Sequence, residues 1–178
     1  GMGTTEEDTQ QDTTYTEEEI TCGGSRMNPA QVDNKLTELL ALPAETEWLE
    51  FKKAENTYHF DDLGKYFSAL SNEANLKDQS WAWLVFGVQD TPKQITGTNY
   101  RPNRANLDHL KEEIASQTNN RLTFEEIHEV VRPEGRVLMF QIPPALRGVP
   151  TAWKGHYYGR DNDALGPLSL HEIEQIRK

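Results

Sequence analysis

The chain has 178 residues, enough for one domain plus a tail, and this length excludes a two-domain enzyme. Apolar residues make up 35% and charged residues 26%, yet four Trp, six Tyr and six Phe remain, so a modest core is expected. No run is long and apolar enough to span a membrane, and the N-terminus carries acids where a signal peptide needs bases, so the chain reads as cytoplasmic. The single cysteine, Cys22, excludes an internal disulfide and a cysteine metal cluster.

The net charge of −11 argues against a phosphate-binding partner until it is divided along the chain. Residues 1–30 hold seven acids and one base, Arg26, which leaves 22 acids against 17 bases for the rest. Residues 1–27 therefore read as a disordered acidic tail and residues 28–178 as the folded domain.

In chain order, Asn28-Pro29 followed by Val32, Leu36 and Leu39 predicts a capped helix that stops before Pro43. From Glu47 to Lys52 the period is two, with Leu49 and Phe51 on one face and Trp48, Glu50 and Lys52 on the other, which predicts a strand. Leu63, Tyr66, Phe67, Leu70 and Ala74 form one helical stripe behind Asp61-Asp62, a helix running to about Asn75. Trp81 to Val88 is nearly all apolar, as expected of a central strand covered on both faces. A short strand near Gln94–Thr98 and a helix through Leu107, Leu110 and Ile114 follow. Phe124–Val131 and Arg136–Ile142 flank Arg132-Pro133-Glu134-Gly135 and read as a hairpin. Thr151–Arg160 predicts one more strand, and Ser169-Leu170-His171-Glu172 opens a last helix with a capping box. The expected class is α+β, a mixed β-sheet flanked by helices.

Glu50-Phe51-Lys52 sets a carboxylate and an ammonium side by side on a strand, an arrangement that can hold a divalent ion and face a phosphate. Alternating charge on an exposed strand face explains the same pattern more simply. Asp90 ends the central strand, where ligands gather in such sheets, and Glu45 joins Glu50 only from a loop or across a bulge. Three acids would suit Mg²⁺ or Mn²⁺. The five histidines lack ligand spacing, and no glycine-rich phosphate loop occurs. Bases and aromatics interleave at Lys52-Lys53, Tyr100-Arg101, Arg104 and Trp153-Lys154 through Tyr157-Tyr158-Gly159-Arg160, either a phosphate and base-stacking surface or solvated strand edges.

Glu45-Thr46-Glu47-Trp48-Leu49-Glu50-Phe51-Lys52, Phe67-Ser68-Ala69-Leu70-Ser71-Asn72, Trp83-Leu84-Val85-Phe86-Gly87-Val88-Gln89-Asp90, Ile95-Thr96-Gly97 and His156-Tyr157-Tyr158-Gly159-Arg160 together resemble the Schlafen AlbA-like domain. That resemblance implies a DNA-binding module of bacterial transcriptional regulators and helicase-related proteins. In animal Schlafens the domain resembles a metal-dependent RNase with three carboxylates, matched here by Glu45, Glu50 and Asp90. The connection Asn72 to Ser80 departs from the family, which often has a glycine pair there.

Three readings follow. In the first, Lys52, Lys53, Arg101, Arg104, Lys154, Tyr158 and Arg160 bind DNA or RNA. In the second, Glu45, Glu50, Asp90 and Lys52 form a Mg²⁺- or Mn²⁺-dependent nuclease site. In the third, the domain is a sensor or homodimerisation module that makes no nucleic-acid contact.

Overall fold

The computed structural model describes residues 26–44, 46–161 and 164–178. The tail assigned to residues 1–27 and the cysteine within it lie outside these ranges, apart from Arg26 and Met27. Helix α1 spans Pro29–Leu40. Its start obeys the expected cap: the Asn28 side chain accepts from the Gln31 N–H, and the Gln31 side chain accepts from the Asn28 N–H, both at 2.9 Å.

After α1 come β1 (Leu49–Lys52), α2 (Phe60–Leu76), β2 (Ala82–Phe86), β3 (Val88–Gln89), β4 (Gln94–Ile95), α3 (Arg104–Ala115) and a short 3-10 turn at Asn119–Arg121. Then follow β5 (Glu126–Arg132), β6 (Gly135–Ile142), β7 (Ala152–Trp153), β8 (His156–Asp161), β9 (Ala164–Pro167) and α4 (Leu170–Arg177). The main sheet has the order β1-β2-β6-β5, with β1 and β2 parallel and the other pairs antiparallel, so it is mixed as expected. Helices and further strands on both faces make the class α+β.

Strand β2 is apolar throughout because both of its faces are covered. Ala82, Leu84 and Phe86 join the cluster that contains the α2 and α3 side chains, while Trp83 and Val85 join Val32, Leu36 and Leu39 of α1. The expected strand Trp81–Val88 is broken at Gly87, whose φ of +92° suits a residue without a Cβ. Beyond that turn, β3 pairs with β4 as a separate ribbon. The single strand expected over Thr151–Arg160 is a hairpin, β7 and β8, to which β9 adds a third strand.

Helix α2 attaches this small sheet to the main one. Asn72, fully buried, donates to the carbonyls of Thr151 at 3.0 Å and Tyr158 at 2.8 Å, and accepts from the Thr151 N–H at 2.7 Å. Ser68 donates to the Thr151 carbonyl and accepts from the Tyr158 N–H, at 2.7 and 3.1 Å. Gly64 lets the buried Trp153 indole lie against the helix, since a Cβ there would stand 2.0 Å from the ring. Among the described residues, no helix is long and apolar enough to cross a membrane.

Candidate nucleic-acid interface

The turn between β7 and β8 consists of Lys154 and Gly155, both with positive φ, at 49° and 83°. Two-residue hairpin turns favour such backbone because its twist matches the strands, and a lysine there is unusual. The strained residue carries its ammonium to Asp61 on α2, 3.1 Å away, and 5.6 Å from the Trp153 ring centroid. Lys65, one helical turn beyond Asp61, reaches the same carboxylate at 3.6 Å and lies 6.0 Å from the Tyr158 ring centroid. Asp61 is held down at about 2, first by the Trp153 indole N–H that donates to it at 2.8 Å and then by Lys154. Two cations thus share one permanently ionised acid beside a partly exposed tyrosine.

Lys52 and Lys53 close β1 on the α2 side. The Lys52 ammonium lies 5.0 Å from the Tyr66 ring centroid, and Lys53, exposed, pairs loosely with Glu55 at 3.7 Å. Tyr66 follows Lys65 in α2 but projects about 100° away around the helix, so Lys52 contacts the same helix on another face.

The other bases singled out from the sequence are committed to protein groups. Arg101 is bound to Glu113 at 2.6 Å and to the Asn106 carbonyl at 2.9 Å, and the adjacent Tyr100 is buried. Arg104 meets Glu126 at 2.9 Å, Asp108 at 3.0 Å and Glu129 at 3.4 Å, and donates to the Ile127 carbonyl at 2.7 Å. Lys111 shares Glu126 at 3.3 Å and Arg136 shares Glu129 at 3.0 Å, so the patch is a balanced ion-pair network with no excess positive charge for phosphate. The Arg160 side chain is 2% exposed and donates to the carbonyls of Glu47 and Leu49, at 3.0 and 2.7 Å, and to Glu50 at 2.5 Å. It therefore secures the edge of β1 to β8 and presents no cation to solvent. Trp153 is equally unavailable for stacking because it is in the core.

Glu50 and Asp90 line one narrow cleft with Lys93 and Arg160. Asp90 is exposed there, but the Glu50 side chain is only 8% exposed and carries the Arg160 guanidinium. Glu45, the third expected ligand, lies outside the described residues. Among the described residues no three His, Cys, Asp or Glu side chains are grouped to hold a metal ion. Of the three expected ligands, the two described carboxylates share the cleft, Glu50 bound to a guanidinium, and by themselves they are too few to hold a divalent cation. The exposed charged strand face expected at Glu50 is thus an enclosed ion pair.

Sequence reasoning passed over Asp61 and Lys65 as a site, treating the acids of α2 as dipole partners. The available signal was their i,i+4 spacing, but nothing local indicated that Lys154, 89 residues beyond Lys65, would meet them.

A family model described as Schlafen, AlbA_2 matches residues 45–169. The chain belongs to the Schlafen AlbA_2 family. No curated protein matches this AlbA_2 chain. Among solved structures, the DIP2311 protein of Corynebacterium diphtheriae is similar at a TM-score of 0.52 and 16% identity, over 78% of this chain and 26% of that one. The AlbA_2 chain therefore spans about a quarter of that protein, and the likeness concerns the fold. The N-terminal domain of a Nitrosomonas europaea protein described as related to the ATP-dependent DNA helicase RecG aligns at a TM-score of 0.46 and 18% identity, over 76% of this chain and 89% of that one.

Proposed function

We propose that this AlbA_2 domain is a nucleic-acid recognition module, serving a regulatory or helicase-related protein, and that it binds through the surface formed by the first turns of α2, the β7–β8 turn and the end of β1. The observation that carries the reading is the pair of ammoniums, Lys65 and Lys154, sharing Asp61 beside the Tyr158 ring. A cation that shares its counter-ion retains attraction for phosphate, and a lysine maintained at positive φ is a strained feature of the kind that gathers at functional sites. Lys52 and Lys53 add cations at the end of β1, whereas Arg101, Arg104 and Arg160 are left out because acids consume them.

The test is fluorescence anisotropy of labelled oligonucleotides across a salt series. With Lys52, Lys65 and Lys154 each on a phosphate, affinity is expected to fall about 40-fold for a duplex and about 20-fold for a single strand between 50 and 200 mM salt. Replacing Lys65 by Ala together with Lys154 by Asn is expected to remove most of that dependence. Binding that ignores salt, or that survives this double change, would overturn the reading.

A further inference from the structure

Next to the paired lysines, β8, β9, the first turns of α2 and the start of α4 border an open groove of about 550 Å³. Its size is that of a small-molecule site, and the β8 part of its lining carries aromatic side chains. Tyr157 is 41% exposed, His156 is exposed, and Tyr158 is partly buried with its ring centroid 6.4 Å from that of His156. Lys65 stands at the rim, over the Tyr158 ring and on Asp61.

Asp62 also borders the groove. It is exposed and makes no hydrogen bond or ion pair among the described residues, so it offers a free acceptor to a donor group on a ligand. Strand β9, hydrogen-bonded to β8, also lines the groove, and Gly166 there contributes bare backbone: a Cβ added to it would meet nothing within 4 Å. Flat rings, uncovered backbone and one acceptor together suit a planar heteroaromatic with amino or imino hydrogens on its edge. Lys65 connects that pocket to the second ammonium, Lys154, through their shared Asp61.

We infer that the groove takes one unpaired nucleobase of a single-stranded segment, with neighbouring phosphates on Lys65 and Lys154. The inference rests on the nucleic-acid reading above and adds strandedness to it. A base inside a duplex has its faces covered by its neighbours and its edge by its partner, so only a base turned out of the stack can enter. Stacking on exposed rings tolerates any base, because every base has a π-face, and Asp62 favours those whose edge donates.

The experiment compares one labelled single strand and its matched duplex, each bound to the full chain carrying Tyr157→Ala, His156→Ala or Tyr157→Phe, with thermal melts to confirm that each variant folds. A 2-aminopurine base in the single strand reports stacking through quenching of its emission. The single strand is expected to bind more tightly than the duplex and to quench. Tyr157→Ala and His156→Ala should each weaken single-strand binding roughly five- to hundredfold and relieve the quenching, with duplex binding unchanged, whereas Tyr157→Phe keeps the ring and the affinity. Equal binding of strand and duplex, or alanine variants that bind as the wild type does, would overturn the inference. In that case Lys65→Ala still weakens both ligands if the recognition surface itself is right. Absence of binding to either ligand would overturn both readings.

Discussion

Arg160 and Glu50, 110 residues apart, form one enclosed ion pair in which a guanidinium N–H donates to the carboxylate at 2.5 Å. The same guanidinium caps the Glu47 and Leu49 carbonyls, so a single side chain closes the open edge of β1 and attaches β8 to it. A charge pair this well covered contributes through the cost of breaking it rather than through its own attraction.

Removing one partner leaves the other charged and buried. Arg160→Met is expected to destabilise the domain by about 3–5 kcal/mol in urea unfolding. Adding Glu50→Gln to that variant should restore part of the loss. A loss below about 1 kcal/mol would mean that water reaches Glu50 freely.

Asn72 makes three hydrogen bonds to the segment 151–158 from a fully buried position. Asn72→Ala leaves the Thr151 N–H unsatisfied, and a loss of about 2–4 kcal/mol is expected by the same measurement. Because these bonds hold the β7–β8 hairpin on α2, the variant should also weaken nucleic-acid binding at temperatures where it remains folded.

Lys154 separates stability from function. Asparagine tolerates positive φ better than lysine, so Lys154→Asn is expected to leave the melting temperature unchanged or slightly raised while affinity falls several-fold. Asp61→Asn keeps an acceptor for the Trp153 indole and frees both ammoniums from their acid, so affinity should rise several-fold at low salt. Anisotropy at fixed ionic strength checks both changes, and a loss of affinity in Asp61→Asn would show that the acid contacts the ligand itself.

Burial raises the Glu73 carboxyl to about 7, reinforced by the nearby Glu47 and only partly opposed by the Arg160 N–H at 3.3 Å. The second Glu73 oxygen is buried with no hydrogen-bond partner among the described residues, a position that disfavours the charged form. Since the folded state binds this proton more tightly than the unfolded chain, the stabilisation is complete below about pH 4 and disappears as pH rises through about 7. Urea unfolding should therefore show stability falling by on the order of 2 kcal/mol from pH 5 to pH 8 from this group, and Glu73→Gln should flatten that slope. An unchanged slope in the variant would assign the titration elsewhere.

Local sequence patterns settled the starts of α1 and α4, the two-sided burial of β2 and the β5–β6 hairpin, because each depends on residues within one or two turns of one another. The Asn28 cap, the Ser169 capping box and the alternation at Leu49 and Phe51 are of this kind. Gly87 and the Lys154-Gly155 turn escaped such reading, since one positive φ divides an apolar or aromatic run without altering its composition.

The functional roles depended on long-range partners. Arg101, Arg104 and Arg160 look like phosphate ligands in the sequence, as Lys154 does, because a charge carries no local mark of its counter-ion. Only the tertiary structure brought Glu113 to Arg101, three acids to Arg104 and Glu50 to Arg160, while setting two lysines on one Asp61. The sequence by itself determined the family, the elements and the α+β class through short-range periodicity and motif order. Which cations face solvent was decided by packing, because burial and pairing are properties of the neighbours that folding supplies.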